Sequence, residues 1–125
     1  MSVSYSEVRP CRLMVADTQE KQEKGLMGYR SLVNFDGMVF VYKEKAIRHF
    51  WNKNTYLELD LYWIDGEHVV GRSYLPPVDR FGLVIVSSPQ PVDKVVELVR
   101  GRKCMYGKIL LSPEFKGSKG KNAEQ

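Results

Sequence analysis

Leu57-Glu58-Leu59-Asp60-Leu61-Tyr62-Trp63-Ile64, then Asp65-Gly66, then Glu67-His68-Val69-Val70-Gly71, is the stretch that decides the fold. Side chains alternate along a strand. Leu57, Leu59, Leu61 and Trp63 therefore share one face, and Glu58, Asp60, Tyr62 and Ile64 the other. Asp-Gly between two such runs is a hairpin signal, so the chain turns back antiparallel here.

Towards the N-terminus, Arg12-Leu13-Met14-Val15-Ala16 reads as a short strand. Asp17-Thr18-Gln19-Glu20 reads as a helix start, with Asp17 as N-cap answered by Glu20 and Thr18 as the competing cap. Gly25 is placed as the residue that ends this helix, which leaves one short helix near residues 18–24. Phe35 to Met38 form a turn, Gly37 to Tyr42 a strand, and Lys43-Glu44-Lys45 an exposed loop. Towards the C-terminus, Pro76-Pro77 breaks a loop over 73–80 and Phe81 to Val86 form a strand. Asp93 to Arg100, rich in β-branched residues, reads as a strand with a helical turn as the alternative, and Ile109-Leu110-Leu111 closes the fold. Six to seven short strands and one short helix predict a mainly β (α+β) domain, a compact antiparallel barrel-like or rolled sheet.

The chain has 125 residues, 43% of them hydrophobic, a size suited to one domain. That domain is expected over residues 1–115, followed by a disordered basic tail over 116–125. The net charge of +4 is uneven: residues 1–99 carry 12 Lys/Arg against 13 Asp/Glu, residues 100–125 carry 7 against 2. A basic end can attract nucleic acid. Only Tyr106 and Phe115 interleave with it, which argues against nucleic acid as a partner. No apolar run reaches the roughly 18 residues of a membrane span, so no membrane partner is expected. The leading residues 1–7 lack a basic region and an apolar stretch, so cytoplasmic residence is expected. Cys11 opens the first strand and Cys104 stands near the last. Those strands could be neighbours, but in a reducing cytoplasm free thiols are expected. Four Asn and four Gln among many charges lean towards a thermophilic source.

The candidate site lies just before the deciding strand, in Phe50-Trp51-Asn52-Lys53-Asn54-Thr55. Polar groups set among large apolar ones must be bonded or solvated, because a dry unpaired one costs about 2 kcal/mol or more. Lys53 can supply a cation, Asn52 and Asn54 amides, Thr55 a hydroxyl, Asp60 a carboxylate and Trp51 a stacking face. Such a set suits a small polar ligand, a sugar or an organic acid. The bland reading is that Asn54 and Thr55 cap a turn and that Asp60 pairs with Lys53 or with that turn. Glu97, between Val96 and Leu98 in an apolar strand, also wants a partner, with Lys53 a candidate. Asp60 and Glu97 could act as an acid and base pair if they faced one cleft. His49 and His68 are the only histidines. No metal site, nucleophile motif, phosphate loop or cofactor fingerprint is expected.

Ala16-Asp17-Thr18, Gly25-Leu26-Met27, Ser31-Leu32, Gly37-Met38-Val39-Phe40, Phe50-Trp51, Lys53-Asn54-Thr55, Leu59-Asp60 and Val96-Glu97-Leu98 occur in this order. In these motifs the chain resembles the uncharacterised bacterial and archaeal proteins of domain-of-unknown-function family 192, over roughly residues 8–112. The resemblance implies a small, mostly β domain from a prokaryote, and no established reaction, substrate or cofactor. Many relatives carry an export signal, which is not seen here. Where the family has Met after the Trp, this chain has Asn52, a hydrogen-bonding amide in place of a thioether.

The reading adopted is a small-molecule binding module with a polar pocket around Trp51 to Asp60. The alternatives are a hydrolase or lyase using Asp60 and Glu97, and a structural or interaction domain without a pocket.

Overall fold

A computed structural model describes residues 8–114. Among these it has nine strands and two short helices: β1 Leu13–Ala16, α1 Gln19–Lys24, β2 Gly37–Ala46, β3 His49–Trp51, β4 Leu59–Asp65, β5 His68–Leu75, α2 Val78–Phe81, β6 Ile85–Ser87, β7 Val92–Val99, β8 Cys104–Tyr106 and β9 Ile109–Leu111. The domain is mainly β, as its alternating pattern dictates. The expected tail over 116–125 lies outside the described residues.

Five strands form one sheet in the order β1-β2-β7-β4-β5. β1 runs parallel to β2, and the other neighbours are antiparallel. β1 and β5 remain edges, so the sheet is open and no barrel closes. β7 lies in the middle, where Glu97 stands opposite Met38 of β2 and Leu61 of β4. Gly37 marks the closeness of β2 and β7: a Cβ added there would sit 1.7 Å from the Glu97 carbonyl oxygen.

Both faces of the sheet are covered, which is why β4 is buried from Leu59 through Ile64. On the first face, Phe40, Leu59, Leu61, Trp63 and Val95 form a core with Leu26 from beyond α1. The β3–β6 ribbon lies on it, and Phe50 meets the Phe40 and Trp63 rings edge-on at 4.8 and 5.6 Å. On the second face, Val39, Tyr62, Ile64, Val96 and Leu98 pack with Cys104 and Leu111 of the β8–β9 ribbon.

Several expectations are corrected. Cys11 and Cys104 form a disulfide, with Cα atoms 4.9 Å apart. The N-terminal segment pairs with β8, since Cys11 N–H donates to Met105 at 2.7 Å and Met105 N–H to Arg9 at 2.9 Å. That pairing brings the two thiols together. Thr18, not Asp17, caps α1, its Oγ1 accepting from Lys21 N–H at 3.2 Å. The β4–β5 turn is Gly66-Glu67, because Asp65 pairs with His68. Residues 43–45, expected as a loop, extend β2 with their side chains in solvent. Of the strand expected over Phe81 to Val86, only Ile85 and Val86 pair, while Phe81 ends α2.

Candidate functional site

β7 carries Val95 and Glu97 towards the first face and Val96 and Leu98 towards the second. Glu97 thus enters an aromatic environment made by β2 and β3. Phe40 and Tyr42 come from β2 by the same alternation, and Phe50 and Trp51 from β3. α1 crosses above them. Gly25, at φ 50°, ends the helix over Phe40 in a left-handed conformation that suits glycine.

Between these elements lies a hollow of about 270 Å³. Glu97, Phe40, Tyr42, Phe50, Trp51 and Thr55 line it, and Gln19, Gln22, Glu23 and Lys24 of α1 form its opposite wall. Glu97 is only 4% exposed. Among the described residues its carboxyl has no hydrogen-bond or ion-pair partner. Burial pushes its pKa up to about 8, so near neutral pH it is mostly a protonated acid. Burial also raises the Tyr42 hydroxyl to about 12, against the pull of the nearby Arg48 and with a contribution from Glu97. Arg48 lies over the Tyr42 ring at 3.8 Å and donates to the Glu44 carbonyl. His49, at the rim, shares a hydrogen bond of 2.7 Å between Nδ1 and Ser87 Oγ.

The residues expected to form a pocket separate into three groups. Trp51, 45% exposed, and the buried Thr55 do line the hollow. Lys53 and Asn54 project from the turn, with Lys53 Nζ 5.1 Å from the Trp51 ring centre and Asn54 at φ 52°. The Asn54 carbonyl accepts from Gly28 N–H at 2.9 Å, and Thr55 Oγ1 donates to the Lys53 carbonyl at 3.0 Å. Asn52 is fully buried and fully bonded. Its amide nitrogen donates to the Pro76 and Gly82 carbonyls at 2.8 and 2.9 Å, and its oxygen accepts from Val84 N–H at 2.7 Å. Asn52 therefore ties the 76–84 loop to β3 and leaves nothing free for a ligand.

Asp60 faces the other side of the sheet. It accepts from Arg72 at 3.0 Å and from Gly101 N–H at 3.2 Å, with Arg100 at 3.7 Å. Its expected partners, Lys53 and the Asn54-Thr55 turn, are replaced by these. Leu61, not Asp60, stands opposite Glu97. Asp60 and Glu97 thus lie on opposite faces and share no cleft, so the paired acid and base arrangement is ruled out. Lys53 is likewise no partner of Glu97.

A second carboxylate, Asp36, is also structural. Arg9 holds both its oxygens at 2.6 and 2.7 Å, and Arg102 and Arg12 N–H approach at 2.8 Å each. The Arg9 guanidinium above all keeps this carboxyl well below the usual range, against the cost of burial. Sequence reading missed Asp36, Phe40, Tyr42 and the α1 wall. Of the hollow's chemistry it singled out Glu97, through the anomaly of a carboxylate between Val96 and Leu98. Among the described residues no three His, Cys, Asp or Glu side chains come together as metal ligands, and no helix is long and apolar enough to cross a membrane.

The chain is similar to two solved structures. One is a candidate transcription regulator from Sinorhizobium meliloti 1021, 31% identical, with a TM-score of 0.61, covering 70% of this chain and 67% of that one. The other is a protein of unknown function from Novosphingobium aromaticivorans DSM 12444, 26% identical, with a TM-score of 0.61, covering 70% and 61% respectively. No curated protein matches. The model of DUF192, described as uncharacterized ACR, matches residues 2–107. Over most of its length, then, this chain belongs to the DUF192 family.

Proposed function

We propose that the domain binds a small polar molecule, about one ring in size, in the hollow between α1 and the sheet. One observation carries the reading: a largely buried Glu97, whose carboxyl has no hydrogen-bond or ion-pair partner among the described residues, lines an aromatic hollow. Such a group is unfavourable for folding, and proteins retain unfavourable polar groups mainly where they serve a site. The volume supports the ligand size. A dry engineered cavity of about 150 Å³ accepts benzene, and about 270 Å³ is available here. Trp51 and Phe50 offer stacking faces of the kind sugars use. Of the two classes suggested by the sequence, sugars fit better than organic acids, because the Trp51 and Phe50 faces suit a ring.

An enzymatic role through paired carboxylates is set aside by the placement of Asp60. A DNA-reading role, suggested by the description of the Sinorhizobium protein, finds little support. Arg9, Arg72, Arg100 and Arg102 face Asp36 and Asp60, and α1, at six residues, is short for a recognition helix. Cytoplasmic residence stays a proposal that the disulfide narrows. Disulfides persist inside cells chiefly in hyperthermophiles, in keeping with the charge-rich, amide-poor composition.

A thermal-shift screen with monosaccharides, organic acids and primary amines tests the reading, since a specific ligand raises the melting temperature by linkage. A compound that stabilises the protein and loses its effect in Trp51→Ala supports it. Absence of any stabilising compound would favour the domain without a pocket.

A further inference from the structure

We infer that the ligand of this hollow presents a protonated amine, which pairs with the Glu97 carboxylate and releases the Glu97 proton to solvent. The inference rests on the binding reading and names its chemistry. Glu97 needs a partner, and the described residues supply none. Arg48 is turned to the Tyr42 ring and the Glu44 carbonyl, and Lys53 to the Trp51 ring. The remaining groups around Glu97 are Glu23 and Lys24 of α1, Tyr42 of β2 and His49 of β3. Among the described residues, none of these lies within ion-pairing or hydrogen-bonding distance of it. Opposite the α1 wall of Gln19, Gln22, Glu23 and Lys24, the sheet side of the hollow is the Phe40, Tyr42, Phe50 and Trp51 rings, and aromatic faces attract a cation through their quadrupole. A buried carboxylate ringed by aromatics is suited to an ammonium group and unsuited to an anion. A ring compound bearing an amine, such as an amino sugar, satisfies both the stacking faces and the acid.

The proton balance is simple. The ammonium ligand meets the neutral Glu97 acid, the acid gives its proton to water, and the ion pair forms. Amine binding therefore competes with protonation of Glu97. A group with a pKa of about 8 is roughly 1% ionised at pH 6 and half ionised at pH 8, so amine affinity rises about 50-fold over that interval and levels off above it. A neutral ligand shows no such rise.

The test uses the full chain with three probes of one shape: benzylamine, benzyl alcohol and benzoate, titrated calorimetrically at pH 6 and pH 8. The expected result is preferential binding of benzylamine, a rise in its affinity of about 50-fold, and release of close to one proton per amine bound at pH 6. Glu97→Gln, isosteric with the protonated acid, should fold, bind the amine at least about tenfold more weakly at pH 8, and lose the pH dependence. His49→Asn should keep it, which separates Glu97 from the histidine at the rim. Amine affinity equal at the two pH values, or benzyl alcohol binding as tightly as the amine, overturns the inference and leaves the binding reading standing. Failure of every probe here and in the wider screen overturns both.

Discussion

Replacing Glu97 by Gln should make this protein more stable, and the gain should grow with pH. In the unfolded chain a glutamate ionises near 4.5, whereas in the folded state Glu97 holds its proton up to about 8 because burial penalises the charge. The folded state thus binds this proton more tightly than the unfolded state. Stability from this group is complete below pH 4.5 and is lost as pH rises through about 8. At 1.36 kcal/mol for each tenfold, the full loss is about 5 kcal/mol, of which about 3 kcal/mol has gone by pH 7. Gln reproduces the shape and hydrogen-bonding character of the neutral acid but cannot ionise. Urea denaturation of both proteins at pH 5, 7 and 9, with equal m-values, reads the difference. The two should agree within about 1 kcal/mol at pH 5, and the variant should lead by about 3 kcal/mol at pH 7 and about 5 kcal/mol at pH 9. Parallel pH curves for the two proteins would falsify the claim that Glu97 is buried without a partner.

Thiol titration in denaturant should find no free thiol before reduction and two after it. Cys11→Ser with Cys104→Ser should lower stability by about 2–5 kcal/mol, because the bridge spans 93 residues and restricts the unfolded chain. Asp36→Asn should cost about 3 kcal/mol in urea by removing the negative charge that Arg9 and Arg102 share. Since the Asp36 pKa is depressed in the folded state, its contribution is present above about pH 4 and fades as the pH falls further, so the variant should flatten the acid limb of the stability curve. Asn52→Ala, which orphans Val84 N–H and two carbonyls, should cost about 2–4 kcal/mol; a neutral result would show that the 76–84 loop is held by other contacts.

The legibility of this chain followed the strength of its periodic signals. The 57–64 alternation identified a real face, because Leu59, Leu61 and Trp63 enter one core. It did not show that β4 is buried on its other face too, since a polar Asp60 there looks like an exposed position until Arg72 and the Gly101 N–H are seen around it. β3 and β8, at three residues each, are too short to impose a period. β3 is held by a partner distant in sequence, Ile85 to Ser87, and β8 by the short hairpin that pairs it with Ile109 to Leu111. The polar cluster at 51–55 marks a place where polar atoms need partners, but whether those partners are ligand or loop depends on long-range geometry. Asn52 bonds across 24 to 32 residues. The exchange of the family's Met for Asn52 thus affects a loop tether rather than a pocket wall. The disulfide joins cysteines 93 residues apart, and only the pairing of the N-terminal segment with β8 brings them together.

The central position of β7 has a consequence for the order of events during synthesis. β2 and β4 both leave the ribosome well before residues 92–99, yet each must pair with that strand. Until it arrives, β4 and β5 can close as a local hairpin, but β2 carries an open, largely apolar edge with no sheet to join. Unpaired edges of this kind recruit other chains, and distant pairings form slowly. The nascent protein is therefore most vulnerable to association late in translation, when four strands of the sheet exist and its middle is still missing.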